Sequence, residues 1–536
     1  MLTRMPRMRR LLTILASTLI ASCVPGEHDG AVLHRGLNTD PTSLDPHKYS
    51  GNDAAAVLVD VREGLLAYDS DGTLVPGAAE RWTVSEDGRS YTFFLRQDAH
   101  WSNGEPVDAY DFLYSLRRLV DPAEASPNSH NSLGIRNAAQ ILRGELPPSE
   151  LGVSAREPYV LDIELEAPRS YFLQLLAHPS LAPLYFEHGG SGNVAPTAEP
   201  NVFNGPFALE SRMLGSSISL SKNKHFHSEG SVRLDGVIYH VVDQEIEHLR
   251  FAAGELHISD NVSEIAFSRL RQEIGPELQV GPPTGLYFYG LNQTDGSPLS
   301  NLNLRRALYL AIDRDVISQK LLGRGEVPAF SIVPPSIHGF ENRSLDIANL
   351  SQSDRNDMAA EFAALAVEEI GAKTIEIEIH YNTGGGHAKI AAAIGDMWRR
   401  KLGVEVSLRG EEFRVFLSSI RQRSGIEVFR LGWTADYDDP YAYLQMFQSS
   451  NSANYYGYKS SEFDLLLGEA IAEVDPRRAS ELYARAEELL LAELPVLPIY
   501  FQVSKHLVSR DVSGWLNNGL DVHPSRFLSL DGQQPE

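Results

Sequence analysis

The segment YTFFLRQDAHWSNGEPVDAYDFLYSLRRLVDP, from Tyr91 to Pro122, places a strand pattern directly before a helix pattern. Ser90 to Leu95 is rich in aromatic and β-branched residues, which is typical of a strand. Pro106 to Leu119 starts with a proline, a residue favoured in the first turn of a helix. It then carries apolar residues at helical spacing, namely Phe112, Leu116 and Leu119. The segment therefore predicts a mixed α/β fold.

The same two patterns recur along the rest of the chain. Three further segments have strand character: Leu161 to Leu165, Val237 to Val242 and Leu286 to Leu291. Four have helical character: Leu304 to Ile312, Asp357 to Ile370, Ala388 to Lys401 and Pro476 to Leu491. The elements follow no simple βαβ order, and no internal repeat is present. Together with the length of 536 residues, this pattern predicts a large α/β protein of more than one domain.

Two segments have the pattern of connections between lobes. They are Pro282-Pro283 and the run from Pro495 to Val503. Two crossings imply that one domain is built from discontinuous pieces of chain, with a large insert between them.

The first residues have the pattern of a secretory signal peptide. Leu11 to Ile20 is an uncharged apolar run, about half of the ~20 residues that a membrane-spanning helix needs. Four arginines precede it: Arg4, Arg7, Arg9 and Arg10. Small residues then lead to Cys23, the only cysteine, in a pattern that resembles a lipobox. This resemblance implies a signal peptide over residues 1–22, lipid attachment at Cys23 and a polar tether over residues 23–30. An ordinary cleavage site that happens to contain a cysteine is the alternative.

The chain is strongly acidic, with a formal net charge of −24. Because the only charges in residues 1–22 are four arginines, the mature chain carries about −28. Nucleic acid requires a basic surface, so it is excluded as a partner. No other apolar segment reaches spanning length, so we expect membrane attachment through the lipid anchor only.

No catalytic or metal-binding motif is found. The chain lacks the H-E-x-x-H zinc motif, the G-x-S-x-G nucleophile turn and the G-x-x-x-x-G-K-[ST] phosphate loop. Its seventeen histidines lack the paired spacing of a zinc site. Asp69-Ser70-Asp71-Gly72 resembles the start of a calcium loop, but later positions do not match, and we interpret it as a hairpin turn. We therefore expect no catalytic activity, no metal and no cofactor.

Six segments resemble, in order and spacing, the family-5 extracytoplasmic solute-binding proteins, and in particular their oligopeptide branch. They are Pro41 to Gly88, Tyr91 to Pro122, Asn204 to Leu209, Leu304 to Ile317, Gly432 to Phe447 and Leu482 to Phe501. The resemblance implies a periplasmic-binding-protein-like α/β fold of type II, in the large three-domain class. Two lobes would close about a two-strand hinge. Domain I would combine residues 31–62, 183–284 and 503–536; domain II would be 63–182 and domain III 285–502.

The resemblance also implies a function. The chain would be a monomeric receptor on the periplasmic or cell-surface side of a bacterial membrane, where it binds short peptides and delivers them to the permease subunits of an ABC importer. Such a receptor binds the peptide main chain and its charged ends. The alternatives are a different solute on the same fold (a dipeptide, metal chelate, haem or oligosaccharide), a sensor or adhesion lipoprotein without a transporter, and a lipid-anchored hydrolase.

By the same resemblance, Asp436 in GWTADYDDP matches the aspartate that holds the peptide α-amino group. Gly432, Trp433 and Thr434 would offer a backbone edge to the peptide. Read without the resemblance, the aspartates are more typical of a solvated acidic turn before Pro440.

The remaining candidates concern the carboxylate end and the walls of the site. Arginine suits a carboxylate because it can bind both oxygens, and the candidates are Arg430, Arg421 and Arg423. His387, in YNTGGGH, matches a family position that contacts longer ligands, although a surface loop is the alternative. Aromatic candidates are Phe413, Tyr500 and Phe501, with Tyr287 and Tyr289 near the same walls; core packing is the alternative for each.

Two positions depart from the family pattern. Peptide-binding relatives often have a glutamate where this chain has Ser50. They often have tyrosines where it has Asn128, His130 and Asn131. Both positions can face the ligand in the family, so the departures affect the expected ligand length and preference.

Overall fold

The computed structural model describes residues 30–186, 202–294, 297–341, 346–372, 374–423 and 425–530. The predicted signal peptide, Cys23 and the tether up to residue 29 lie outside these ranges. Within them, no helix combines the length and the apolar character needed to cross a membrane.

The strands are β1 Val32–Leu37, β2 Leu66–Tyr68, β3 Leu74–Pro76, β4 Ala79–Val84, β5 Ser90–Leu95, β6 Val153–Glu157, β7 Val160–Glu164, β8 Phe207–Met213, β9 Ser217–Lys222, β10 Gly236–Val241, β11 Leu278–Leu291, β12 Val327–Pro328, β13 Glu376–Asn382, β14 Glu405–Glu411, β15 Val428–Thr434, β16 Val496–Leu507, β17 Val512–Ser513 and β18 Ser529–Leu530. The α-helices are α1 Asn52–Val61, α2 Ala109–Leu119, α3 Ala138–Leu142, α4 Phe172–Leu175, α5 Gln244–Ala252, α6 Phe267–Glu273, α7 Leu302–Leu310, α8 Gln352–Ile370, α9 His387–Leu402, α10 Phe413–Gln422, α11 Tyr441–Leu444, α12 Ser461–Ala472 and α13 Pro476–Glu493.

The segment that predicted the fold class forms β5 and α2. β5 lies in the antiparallel sheet β4-β5-β7-β6, and the apolar face of α2 is buried in the same core as Phe93. The helix begins at Ala109, three residues later than the proline pattern predicted. The reason is that the Asp108 side chain accepts hydrogen bonds from the N–H groups of Tyr110 (2.8 Å) and Asp111 (3.3 Å), which caps the helix there.

A second sheet is formed by β1, β10, β9 and β8 in that order. β1 pairs in parallel with β10, although the two are far apart in sequence, with Val32 opposite Gly236. Buried residues of both strands, such as Leu33 and Val237, form a core together with α1. The chain therefore forms the β4-β5-β7-β6 sheet between β1 and β8, the first and second strands of this sheet in sequence.

The largest sheet has the order β12-β16-β11-β15-β13-β14. β13, β14 and β15 run parallel, whereas β11 pairs antiparallel with both β15 and β16. Each face of this sheet is covered by its own core. Leu286, Phe429 and Phe501 belong to one core, and Tyr287 and Val428 belong to the other.

The two longest strands, β11 and β16, pair along most of their length, from Leu278 opposite Leu507 to Gly290 opposite Val496. The register shifts twice around Pro283, which is where a strand tolerates a residue without an N–H group. The two predicted crossings fall on this pair. The predicted strand Leu286 to Leu291 is only the second half of β11, because the prolines hid the first half.

Residues 31–536 form one compact unit by internal contacts. The division into three domains therefore remains a proposal. It is consistent with the three large sheets. The first takes its strands from residues 32–37 and 207–241, the second from 79–164 and the third from 278–507.

A buried ion pair joins the loop after β1 to helix α2. The Arg118 guanidinium donates to both oxygens of Asp45, at 2.9 and 2.8 Å, and the two side chains are only 7% and 10% exposed. A second carboxylate, that of Glu124, lies 3.0 Å from the same guanidinium. Although burial opposes ionisation, Arg118 holds the pKa of Asp45 below its ordinary value. The pair fixes the DPHK loop, Asp45 to Lys48, against α2.

This pair yields a stability prediction. Arg118→Ala would leave the Asp45 carboxylate buried without its cation, so we expect a loss of about 3–5 kcal/mol in the free energy of unfolding. The matched control is Arg136→Ala, which breaks the exposed pair with Glu164, whose side chains are 46% and 51% exposed. Urea unfolding followed by circular dichroism measures both. Equal losses in the two variants would contradict the assignment.

Candidate ligand-binding site

Strand β15 has a backbone edge that is open along most of its length. On one side it pairs with β11 throughout, with Tyr287 opposite Gly432 and Gly285 opposite Thr434. On the other side, among the described strands, β13 reaches only Val428 and Phe429. Residues 430–434 therefore present unpaired backbone groups, and Gly432 and Thr434 are exposed. Such an edge can pair with an added extended chain.

The three aspartates that follow β15 have different environments. Asp439 is buried; its carboxylate accepts hydrogen bonds from the N–H of Tyr441 at 2.8 Å and the hydroxyl of Ser170 at 3.2 Å. Asp438 accepts from the N–H of His338 at 3.1 Å and contacts its Nδ1 at 2.5 Å. Asp436 is exposed, and none of the described residues donates a hydrogen bond to it. Only Asp436 has a carboxylate available to a ligand.

Protein groups nevertheless surround Asp436. Desolvation raises the pKa of its carboxyl, and the charge of His130 opposes that shift. Burial, followed by the charge of Asp436, raises the pKa of the Tyr49 hydroxyl. Asp436 therefore lies near residues from two distant parts of the chain, in a partly desolvated setting where a positive charge is favoured.

The loop that carries Tyr49 is held from both sides. The amide of Asn128 donates to the Tyr49 carbonyl at 3.1 Å, and the Tyr49 hydroxyl lies 3.2 Å from Nε2 of His178. Asn131 donates to Ser180 at 3.1 Å. The departures from the family pattern at Asn128 and Asn131 thus have a structural explanation, since both amides support this loop. The charge of His130 acts on Asp436, and Ser50 is exposed.

A second group of polar side chains surrounds Arg430 on the same strand. Its guanidinium carbon lies 4.8 Å from the centroid of the Tyr287 ring, and Nη1 is 3.3 Å from the amide oxygen of Asn382. Its Nε is buried without a hydrogen-bond partner in the described part of the chain. Gly432 lies beside this guanidinium, since an added Cβ would be in van der Waals contact with Nη2 at 3.4 Å. Arg430 therefore keeps donors available for an anion.

His387 and Tyr500 adjoin this group through Tyr287. The Tyr287 hydroxyl is 3.2 Å from Nδ1 of His387, and the ring of Tyr500 stacks on that of Tyr287 with centroids 4.6 Å apart. Burial, with the charge of Arg430, lowers the pKa of His387 to about 4, so the imidazole is neutral at physiological pH. A neutral imidazole can offer a hydrogen bond without adding charge.

Other predicted site residues do not join either group. Phe501 is buried in the core on the opposite face from Tyr500, because neighbouring residues of a strand point to opposite faces. Arg423, just past the end of α10, donates to the Asn454 carbonyl at 2.6 Å. It precedes β15, whereas Asp436 follows that strand. The ligand roles of Phe501 and Arg423 remain predictions.

The remaining candidates are Trp433, Phe413 and Arg421. The Trp433 indole donates to the Ala442 carbonyl at 2.7 Å, so it braces the loop after β15 and only its backbone faces the open edge. Phe413 begins α10 at the carboxyl end of β14 and is 51% exposed. Arg421 is exposed in the last turn of that helix, about 12 Å along the axis from Phe413.

Sequence reasoning missed two residues of the site, Tyr49 and Asn382. Tyr49 directly follows the DPHK loop, and Asn382 lies within YNTGGGH, so these segments were the available indications. Neither residue stands out in its segment, because each meets groups from distant parts of the chain only in the folded protein.

Comparison with known proteins gives this geometry a context. A family model described as bacterial extracellular solute-binding proteins, family 5, matches residues 73–455. The chain belongs to this family. It is 34% identical to the periplasmic oligopeptide-binding protein of Salmonella typhimurium over 510 residues, which cover 94% of this chain and 93% of that protein. It is 32% identical to the periplasmic murein peptide-binding protein of Escherichia coli, with 93% of each chain covered.

Solved structures agree. The unliganded open form of the periplasmic murein tripeptide-binding protein MppA superposes with a TM-score of 0.84 at 31% identity, covering 94% of this chain and 98% of that one. The oligopeptide-binding protein of Haemophilus influenzae in complex with the peptide RPPGFSPFR gives 0.73 at 31% identity, covering 94% and 99%. These matches confirm the predicted periplasmic-binding-protein-like fold.

The family is extracellular or periplasmic, and its members in this comparison are binding proteins rather than enzymes. The open strand edge, with the carboxylate of Asp436 at one end and the guanidinium of Arg430 at the other, is therefore the candidate binding site.

Proposed function

We propose that this chain is an extracytoplasmic peptide receptor that delivers short peptides to the permease subunits of an ABC importer and catalyses no reaction. One observation carries the proposal. Of three neighbouring aspartates, only Asp436 has no protein partner, and it lies at the end of an open strand edge.

Asp436 would bind the α-ammonium group of the peptide. Desolvation raises the pKa of its carboxyl despite the opposing charge of His130, which supports compensation of the ionised form by a cationic group of the ligand. An ammonium group supplies that compensation through a charge-assisted hydrogen bond. Removing one member of a desolvated pair of charges is costly, so the anchor also selects against ligands that lack a positive end.

Between the ends, the peptide would add a strand to β15. Backbone hydrogen bonds along residues 430–434 are the same for any peptide sequence, so this mode of binding tolerates different side chains. Specificity for a chain of amino acids then comes from the backbone, whereas side chains are accommodated with water.

Arg430 would bind the carboxylate of the peptide. Six residue steps separate it from Asp436, at most about 20 Å in an extended strand. The reach of the arginine side chain shortens this span, so a peptide of about three to five residues at ~3.3 Å each would bridge the two charges. His387 and Tyr287 lie where a longer peptide would continue.

Binding would be coupled to closure of the lobes. Under the proposed three-domain division, Tyr49, His130 and Asp436 belong to domains I, II and III, so a ligand at Asp436 contacts all three. A ligand that bridges the lobes shifts the population toward the closed form. The paired strands β11 and β16 are the connection about which the lobes would move.

The leader and anchor belong to the same proposal. Removal of residues 1–22 and lipid attachment at Cys23 would place the receptor as a monomer on the outer face of the cytoplasmic membrane or in an outer membrane. Two or more acyl chains give stable attachment where one does not.

The first prediction concerns the anchor. Asp436→Asn should weaken binding of a free tripeptide by about 2–5 kcal/mol, roughly 30- to 5000-fold, because the ligand ammonium loses its carboxylate. The control is Asp438→Asn, a change of the same kind two residues away whose carboxylate is already occupied by His338. Isothermal titration calorimetry measures both. Unchanged affinity in the Asp436 variant would refute the anchor.

The second prediction tests the pairing directly. Acetylation of the peptide N-terminus should cost wild-type protein about as much affinity as the Asp436→Asn substitution does. In the Asp436→Asn variant, acetylation should cost little more, because the interaction is already lost. Two independent, additive losses in this double-mutant cycle would show that the amino group binds elsewhere.

The third prediction concerns pH. The pKa of Asp436 is raised in the empty receptor, and a bound ammonium group would lower it. Affinity should therefore be constant above the raised pKa and fall as the pH drops through it, since protons then compete with the ligand. Titrations between neutral and acidic pH measure this slope. Asp436→Asn should remove it, and an equal slope in that variant would assign it to another group.

A further inference from the structure

A cluster of two histidines and one aspartate lies away from the proposed peptide site. His506 is the penultimate residue of β16, and Asp521 and His523 lie in the loop between β17 and β18. Among the described residues, this is the one group of three such side chains whose potential ligand atoms all lie within 4.8 Å of one another. The three residues come from two separate segments, so no sequence motif indicates the cluster.

The ligand atoms converge on one point. Oδ1 of Asp521 lies 2.8 Å from Nε2 of His506 and 3.1 Å from Nε2 of His523. The two rings are nearly perpendicular, with an interplanar angle of 79°. Zinc binds imidazole nitrogen and carboxylate oxygen at about 2.0–2.2 Å, which separates neighbouring ligand atoms by about 3 Å. Small side-chain shifts would therefore place an ion between the three atoms.

Surrounding contacts hold the histidines in a ligating orientation. Nδ1 of His506 donates to the Ser259 carbonyl at 3.1 Å, which directs Nε2 toward Asp521. The ring of His523 stacks on that of Trp515 at 3.8 Å, and Arg35 donates to the His523 backbone carbonyl at 2.9 Å. Metal-binding histidines characteristically donate their second N–H to a carbonyl or carboxylate in this way.

The loop that supplies Asp521 and His523 is itself braced. The Asn518 side chain accepts from the N–H of Val522 at 3.2 Å and donates to the Val522 carbonyl at 2.8 Å. Asp521 adopts a positive φ of 56°, a conformation that aspartate and asparagine tolerate better than other residues with side chains. The ligand set is therefore held by backbone geometry as well as by packing.

The charges around the cluster favour a cation. Although burial opposes it, Asp521, the Ser259 carbonyl and Asp260 raise the pKa of His506 to about 9. Burial, together with His506 and Arg35, lowers the pKa of His523, which keeps that imidazole neutral. Glu247 also faces His506, and burial raises its pKa to about 8. Asp521 and Asp260 are thus acidic groups that face His506, and Arg35 is a cation that faces His523.

We propose that His506, Asp521 and His523 form a binding site for a divalent transition-metal ion, with zinc as the favoured ion and water completing its coordination. The ion joins the end of β16 to the C-terminal loop and so stabilises the part of the chain in which the hinge strand ends. The site shares no residue with the proposed peptide site, so it stands independently of the proposed function.

The test is calorimetric titration of zinc chloride into protein that carries no histidine tag and has been treated with EDTA. Residues 31–536 form one compact unit, so a chain beginning at residue 24 is suitable. Titration at pH 7 should show one tight site. Zinc should also raise the melting temperature.

Two variants and one control locate the site. Asp521→Asn, which suits the positive φ, and His523→Gln should each lower zinc affinity by about tenfold or more. The control is His240→Gln, in a separate group where His240 lies 2.9 Å from His34, and it should bind zinc as wild type does. Circular dichroism establishes that each variant is folded, and if one is not, the other decides. Absence of a tight site in wild type, or unchanged affinity in the folded variants, would overturn the proposal.

Discussion

The antiparallel pairing of β11 with β16 is the interaction on which the rest of the structure depends. These strands run side by side from Leu278 opposite Leu507 to Gly290 opposite Val496. Leu507 packs in one small core with Phe251, whereas Leu286 and Tyr287 pack in the two cores of the large sheet. The pair therefore contributes residues to all three of these cores. β11 also pairs with one edge of β15 throughout. On the other edge, among the described strands, β13 covers only Val428 and Phe429, so residues 430–434 are left open.

The second constraint is the placement of charge. The Asp45 carboxylate is paired with Arg118, and the Asp439 carboxyl accepts a hydrogen bond from the N–H of Tyr441. Asp436 is the exception within its own turn, and Arg430 keeps a buried Nε without a partner. Groups of opposite sign, Arg430 on β15 and Asp436 in the turn that follows it, suit a ligand that carries both charges at its ends. A zwitterionic peptide has this character, whereas a neutral or singly charged solute does not.

Much of this arrangement could be predicted from the sequence. Helical and strand periodicity located the main elements, because α2, α9 and α13 each bury one regular face. The start of α2 was displaced because a side-chain cap, rather than the proline, sets the boundary. The first half of β11 was hidden by prolines that the structure accommodates at register shifts.

Within the candidate site, the proposal of Asp436 and Arg430 came from the resemblance, because local pattern could not distinguish them from their neighbours. Strand alternation would have separated Tyr500 from Phe501, since adjacent residues face opposite cores. Contacts between distant segments could not be predicted in this way. Asp436 acts electrostatically on Tyr49, whose loop Arg118 and Asn128 hold, and His506 meets His523 only in the folded chain.

Native mass spectrometry of the protein purified from a bacterial host without refolding tests the central claim most directly. The account predicts excess mass that dissociates into a mixture of short peptides, centred on about three to five residues. The same preparation of the Asp436→Asn variant should carry little or none. Wild-type protein that carries a sugar, a chelate or another solute without a free amino group would contradict the claim that Asp436 and the edge of β15 bind peptides.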